Sequence, residues 1–373
     1  MTHKILYITN GITGPGGLER VLSIKASYLA VNFGYEVHII SLNEQNIPHF
    51  YRFSDKIIYH NIQTKGKYFT YLYSYLVGIK GIIKKINPDV ISVCDDGLKG
   101  LFAPLLFGKP CPMIYERHVS KNIEIKKDAE SYFSNIFTIL KFKLMNFGGA
   151  LYDNFVVLTN GNKDEWELNN LSVIPNPLSF YPDTDQLSNL QNKKVLAVGK
   201  HSFQKGFDRL IKSWKSVSEK HPGWELNIYG TINESMGLEK LVNSLNLGNS
   251  INLFPPEKNI ADKYQEASLY VMSSRYEGFG MVLTEAMAYG VPCISFDCPF
   301  GPSDIISHNK NGLLVENGNI EELSRSISQL IDNSELRISM GDQARKDIER
   351  YLAEKVVSQW DQLFKSLISN VST

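Results

Sequence analysis

The sequence predicts an α/β protein made of two doubly wound domains, and three observations carry that reading. Short apolar runs alternate with amphipathic helical stretches through the first half, a pattern that calls for a parallel sheet with helical crossovers. The same alternation restarts after a polar connector that holds two prolines two residues apart, Pro175 and Pro177. The length, 373 residues, exceeds one ordinary core and suits two.

Taken in order, Ile5–Thr9 reads as a strand, followed by a Gly-rich turn and a helix from about Leu18 to Phe33. Glu36–Leu42 is the next strand, and Asp89–Cys94, Met113–Glu116 and Phe155–Leu158 read as further buried strands. Beyond the connector, Lys194–Val198, Glu225–Tyr229, Ser250–Phe254, Leu269–Met272 and Pro292–Phe296 read as strands with helices between. Residues 320–332 and 335–349 and the segment Leu352–Ile368 read as amphipathic helices. The expected boundaries are 1–175 for the first domain, 176–351 for the second, and 352–373 for a closing helix.

Bulk properties exclude several classes. Apolar residues make up 43% and charged residues 21%, a globular rather than a disordered composition. The formal net charge is zero, which gives no electrostatic case for a nucleic-acid binder. Charge is unevenly spread: residues 56–143 hold 14 Lys/Arg against 7 Asp/Glu, whereas 1–55 and 144–187 together hold 5 against 10. Cys94, Cys111, Cys293 and Cys298 form no C-x-x-C pair, so reduced thiols in a reducing compartment are expected. The chain opens on a strand-like run rather than a signal peptide, and no run reaches the ~20 apolar residues that span a bilayer. A cytoplasmic protein is the expectation.

Three constellations offer chemistry. The segment from Ser273 to Glu285 runs from an apolar strand through Gly278 and Gly280 into a helix. The free amides and dipole at that helix start would bind an anion. Glu277 and Glu285 flank the turn, and carboxylates suit vicinal sugar hydroxyls because each accepts two hydrogen bonds. On spacing alone Glu285 reads rather as a solvated helix residue and Glu277 as one that complements the dipole, a reading that loses only in context. A second strand and turn carries Gly199, Lys200, Lys205 and Gly206, a diphosphate clamp or two solvated lysines. A third turn, Gly14-Pro-Gly16-Gly17-Leu-Glu-Arg20, is not the dinucleotide fingerprint, since Glu19 stands where the third glycine belongs.

Taken together the arrangement resembles the retaining GT-B glycosyltransferases of family 4 (group 1) over nearly the whole chain. The shared pieces are Gly16-Gly17-Leu-Glu-Arg20, Val173-Ile-Pro-Asn-Pro177, Gly199 to Lys205-Gly206, Glu277-Gly-Phe-Gly to Glu285-Ala-Met-Ala-x-Gly290-x-Pro292, Asp297 to Gly301-Pro-Ser-Asp-Ile-Ile306, and Asn311-Gly-Leu-Leu-Val315. The resemblance implies two facing Rossmann-like domains with the active site in a cleft between them, the first binding the acceptor and the second the nucleotide sugar. The last helix would pack back on the first domain. It implies that Glu285 binds the ribose hydroxyls and Glu277 a hydroxyl of the donor sugar. Backbone amides of Phe279 and Gly280 would meet the sugar, and those of Met281 and Val282 the diphosphate. Lys205 matches the family's phosphate-binding lysine. Lys200 stands where arginine is usual, keeping the charge without the bidentate fork. Gly16 and Gly17 would lie near the donor phosphates, Pro256–Asn259 near the base, and His118 at the transferred sugar.

The resemblance further implies retention of anomeric configuration, no metal and no cofactor, and front-face attack. The Pro256–Asn259 loop departs from the family's usual glycine and leaves the base open, so a UDP-linked hexose or N-acetylhexosamine is expected as donor only because UDP is the commonest nucleotide. Asp183-Thr-Asp185 has the form of a metal-binding D-x-D but sits in the polar connector and reads as a solvated loop. Lysines and aromatics interleave over 65–85 and 121–143, which suits an anionic membrane surface as well as ordinary crossover helices. A membrane at the inner cytoplasmic face, a glycan or lipid-linked acceptor and surface-polysaccharide assembly follow from the first of these. The competing readings are a sugar-nucleotide epimerase of the same fold and an inactive nucleotide-sugar binder.

Overall fold

The computed structural model describes residues 2–64, 66, 69–95, 97–121 and 132–371, and the side chains of 132–136 and 371 are not among them. The chain divides into two compact units, one made of Met1–Ser179 with Ala353–Thr373, the other of Phe180–Leu352. The first division falls past the double proline because that stretch stays tied to unit 1. Ile174 donates to the Val157 carbonyl at 3.0 Å, and Leu178 is buried.

Unit 1 is built on a seven-stranded parallel sheet. Its strands are β1 (Lys4–Thr9), β2 (Glu36–Leu42), β3 (Ile58–Ile62), β4 (Val90–Cys94), β5 (Met113–Glu116), β6 (Asn154–Val157) and β7 (Leu171–Val173). They lie in the order β3-β2-β1-β4-β5-β6-β7, so the direction of winding reverses beside β1. Ligands of such sheets gather at the carboxyl ends near the reversal. The crossovers are α1 (Gly17–Asn32), α2 (Phe69–Ile86), the short α3 (Leu98–Leu101) and α4 (Ala103–Phe107), α5 (Tyr132–Ala150) and α6 (Asn160–Lys163). One sheet face buries Leu6, Ile8, Val93, Tyr115 and Phe155 against Tyr75, Ile79, Leu101 and Met145. On the other side α1 packs against the last helix of the chain.

Unit 2 repeats the plan with six parallel strands, β8 (Lys194–Val198), β9 (Glu225–Tyr229), β10 (Ile251–Phe254), β11 (Leu269–Met272), β12 (Cys293–Asp297) and β13 (Gly312–Glu316). Their order is β10-β9-β8-β11-β12-β13, with the reversal beside β8. The helices are α7 (Phe207–Lys220), α8 (Leu238–Ser244), α9 (Ile260–Glu266), α10 (Met281–Ala288), α11 (Pro302–Ile305), α12 (Ile320–Asp332) and α13 (Ser334–Ile348). Trp214 of α7 is fully buried between the sheet and α12, with Leu210, Ile211, Leu323 and Ile327 around it. Each such apolar side chain contributes roughly 1.5–3 kcal/mol on leaving water. The chain then returns to unit 1 as α14 (Ala353–Val371).

Three strands go beyond the sequence reading. β3 is an edge strand whose Ile58, Tyr59 and Asn61 are exposed, so it has no apolar run. β7 is three residues long and ends before the prolines. β13 falls within the Asn311 to Val315 motif, read there as a motif rather than a strand.

Candidate active site

In unit 2 the two glycine-bearing turns are stitched into one structure at the carboxyl ends of β8 and β11. Arg275 carries much of the stitching: its guanidinium forks onto both Asp208 oxygens at 2.8 and 2.7 Å and donates to the Phe203 carbonyl at 2.7 Å. It also lies 3.7 Å over the Phe203 ring. Burial raises the Asp208 carboxyl, but hydrogen bonding and charge from Arg275 outweigh it and hold the group below its ordinary range. Backbone bonds complete the seam, Arg275 donating to Gln204 at 2.7 Å. Gly206 sits at φ +63°, where a Cβ would come within 2.1 Å of the Ser273 carbonyl.

That seam delivers Lys205 to Glu277. Nζ of Lys205 lies 2.7 Å from Glu277 Oε1, which also accepts the Ser274 hydroxyl at 2.5 Å. The aliphatic stem of Lys205 crosses Gly199, where a Cβ would meet Cδ at 3.1 Å. Gly280 opens α10 in the left-handed region at φ +97°, and no side chain caps the helix. Its first amides, at Met281 and Val282, are the dipole-favoured place for an anion. Phe279 and Gly280 are buried, Phe279 against the edge of Tyr351. Glu285, on the same helix, is 1% exposed, and its Oε2 accepts the Tyr264 hydroxyl at 2.9 Å. Lys200, by contrast, is exposed and makes no ion pair among the described residues. The loop 255–259 is exposed, and Asp183 to Asp185 lie on an exposed 3-10 turn.

In unit 1, Gly16 caps α1 and Gly17 begins it, again without a side-chain cap. Glu44 pins the preceding loop, accepting the Ile12 amide at 2.8 Å and the Thr13 amide at 3.1 Å. Glu19 folds back so that a Cβ at Gly14 would come within 2.9 Å of its carboxylate, and burial raises its pKa. His118 follows β5 by two residues with its ring 8% exposed. Its Nε2 stands 3.2 Å from Glu116 Oε2, and its buried Nδ1 has no hydrogen-bond partner among the described residues.

Sequence reasoning passed over what stands behind His118. Glu116 is 1% exposed and accepts Lys25 Nζ on Oε2 and the Ser92 hydroxyl on Oε1 at 2.5 Å. Lys25, equally buried, lies 4.0 Å over the Trp360 ring of α14 and 4.9 Å over that of Tyr7. Burial pushes the Glu116 carboxyl up, but Lys25 and His118 more than offset it and bring it down to about 2. Cys94, Glu116 and His118 present ligand atoms within 4.8 Å of one another. The Lys25 ammonium sits on Oε2 of that carboxylate, the oxygen that also faces His118.

A family model described as glycosyl transferases group 1 matches residues 183–347, and one described as glycosyl transferase 4-like matches 18–146. An uncharacterized glycosyltransferase of Haemophilus influenzae is 31% identical over 368 residues, covering 96% of this chain and 98% of that protein. This chain belongs to the group 1, family 4 glycosyltransferases. The amylovoran biosynthesis glycosyltransferase AmsD of Erwinia amylovora is 30% identical, with 97% and 99% covered. Sucrose-phosphate synthase from Thermosynechococcus elongatus superposes with a TM-score of 0.84 at 19% identity, over 99% of this chain and 100% of that one. HepE of Anabaena in complex with UDP-glucose gives 0.77 at 17%, with 98% and 100% covered. The fold of this glycosyltransferase is therefore GT-B.

Proposed function

We propose that this glycosyltransferase transfers a hexose or N-acetylhexosamine from a UDP-sugar to a glycan or lipid-linked acceptor, with retention and without a metal or other cofactor, in surface-polysaccharide assembly. The observation that carries the reading is the preassembled Lys205–Glu277–Ser274 group beside the uncapped N-terminus of α10. Negative charge grows on the diphosphate as the glycosidic bond breaks. Lys205, Lys200 and the α10 amides of Met281 and Val282 would stabilise it, the kind of fixed electrostatics that contributes most to such steps. Glu277 would receive a sugar hydroxyl, Phe279 and Gly280 amides would contact the sugar, and Glu285 the ribose. Gly16 and Gly17 would approach the phosphates with bare backbone, Gly199 would leave room for Lys205, and His118 would meet the transferred sugar. The names of AmsD and of the UDP-glucose complex of HepE support the pathway and the nucleotide.

The lipid side of the reading rests on exposed rings of two helices of unit 1. Phe69 and Tyr73 of α2 are 87% and 71% exposed, and Phe137 and Phe147 of α5 are 71% and 57% exposed. Lys80, Lys84, Lys85 and Lys143 stand exposed on the same two helices. Tyr75 departs from the expected aromatic set, being buried in the core. Lys65, Lys67, Tyr68, Lys126 and Lys127 lie outside the described residues, as do the side chains of Tyr132, Phe133 and Ile136. No helix of the described residues is long and apolar enough to cross a membrane. An anionic bilayer face is the partner that apolar rings edged by lysines fit.

The test is melting of the purified protein against UDP-, GDP-, ADP- and TDP-sugars without metal, followed by transfer with the responding donor. A ligand at 100 times its dissociation constant adds roughly 2.7 kcal/mol. The anomeric configuration of the product, read by NMR, decides retention. A melting temperature unmoved by every sugar nucleotide would overturn the donor reading.

A further inference from the structure

Buried ion pairs are expensive, and an apolar pair of similar volume is often as stable or more so. Lys25 and Glu116 nevertheless meet in the core of unit 1, each 1% exposed, 91 residues apart in sequence. Both oxygens of Glu116 are turned towards donors, Lys25 and His118 on one and Ser92 on the other. An ionised carboxylate can only accept, so the His118 nitrogen facing it must carry the hydrogen. In the neutral ring the other nitrogen, Nδ1, is then bare, and it is buried without a partner among the described residues. Such an orphan acceptor costs stability unless something completes it.

We propose that Glu116, paired with Lys25, is a positioning residue that holds His118 as its Nε2–H tautomer and thereby presents Nδ1 as the acceptor for a hydroxyl of the transferred sugar. The proposal rests on the reading of His118 as a group that meets the substrate. Glu116 and Lys25 touch no substrate themselves. Trp360 of α14 closes the rear of the pair with its ring face over the ammonium, so the closing helix belongs to the same apparatus. Partners of this kind fix ring orientation as well as tautomer, and at metal-bound histidines their loss typically costs about 10- to 100-fold.

The experiment compares the wild type, His118→Ala and the double variant Lys25→Met/Glu116→Leu, which removes both buried charges at once and so avoids an unpaired ion. Long-range 15N–1H NMR of labelled protein reads the tautomer, with His118→Ala assigning the signal. A donor-induced melting shift shows that unit 2 is intact. The wild type should show the Nε2–H form. The double variant should lose it, with kcat down about 10- to 100-fold and the donor KM within about twofold. Wild-type His118 in the Nδ1–H form, a double variant that keeps the Nε2–H form, or one that turns over like the wild type would each overturn the proposal. Unimpaired turnover by His118→Ala would overturn it at its premise, a failure told apart because the tautomer spectrum would still report on Glu116.

Discussion

Lys205 Nζ and Glu277 Oε1 are 2.7 Å apart, with the Ser274 hydroxyl on the same oxygen. The two side chains come from different turns and are joined before any substrate arrives. The cost of bringing them together is thus met by the fold through Arg275 and Asp208 rather than at the moment of binding. Lys205→Ala should therefore lower kcat by roughly 100- to 1,000-fold, the range for loss of one fixed donor at developing charge. Lys200→Ala, at an exposed residue, should cost under about tenfold by the same measure. Steady-state kinetics with the responding donor compares them, and equal losses would contradict the assignment.

Tyr264 supports Glu285 from outside the glycine turns. Tyr264→Phe should lower stability by about 1 kcal/mol and weaken the donor-induced melting shift. Glu285→Ala should abolish that shift. An unchanged response in Glu285→Ala would remove the ribose contact from the site.

Activity should persist in excess chelator, because Asp183 and Asp185 stand on an exposed turn and the Glu116 oxygen facing His118 is taken by Lys25. Complete loss on chelation, restored by one divalent cation, would show a metal requirement.

Acid should expose the buried pair. Glu116 is held at about 2 in the folded chain, below its ordinary value, since Lys25 and His118 outweigh the effect of burial. A carboxylate depressed by folding adds stability above its unfolded pKa of about 4.3, and loses that contribution as pH falls towards the folded value. Urea midpoints at pH 6.5 and 3.5 should therefore fall further for the wild type than for Lys25→Met/Glu116→Leu. Equal falls would mean that folding leaves the Glu116 pKa where it is in the unfolded chain.

Co-sedimentation with vesicles of anionic lipid should drop severalfold when Phe69 and Tyr73 are both changed to serine, and should weaken at high salt. Binding indifferent to lipid charge would remove the membrane from the account.

What could be read from the sequence was whatever is local. Strands such as Glu36–Leu42 and Leu269–Met272 announce themselves as apolar runs, and the glycines around Glu277 mark a turn by what a Cβ would hit. The Lys25–Glu116 pair is invisible in that way. Lys25 sits in an amphipathic helix where a lysine ordinarily faces water, and nothing within 90 residues hints at its partner. Only the order β1-β4-β5, with α14 laid over α1, brings them together. The edge strand β3 escaped for a different reason, because its exposed side chains leave periodicity little to detect.

Tyr35 donates to Asp361 at 2.8 Å and meets the Phe364 ring, so a residue ahead of β2 is tied to α14. During synthesis, residues 1–179 leave the ribosome long before that helix exists. Nascent unit 1 must wait as an unfinished half, its Lys25 uncovered by Trp360, while unit 2 emerges and folds. The unit made first is therefore completed only when the last helix of the chain has been made.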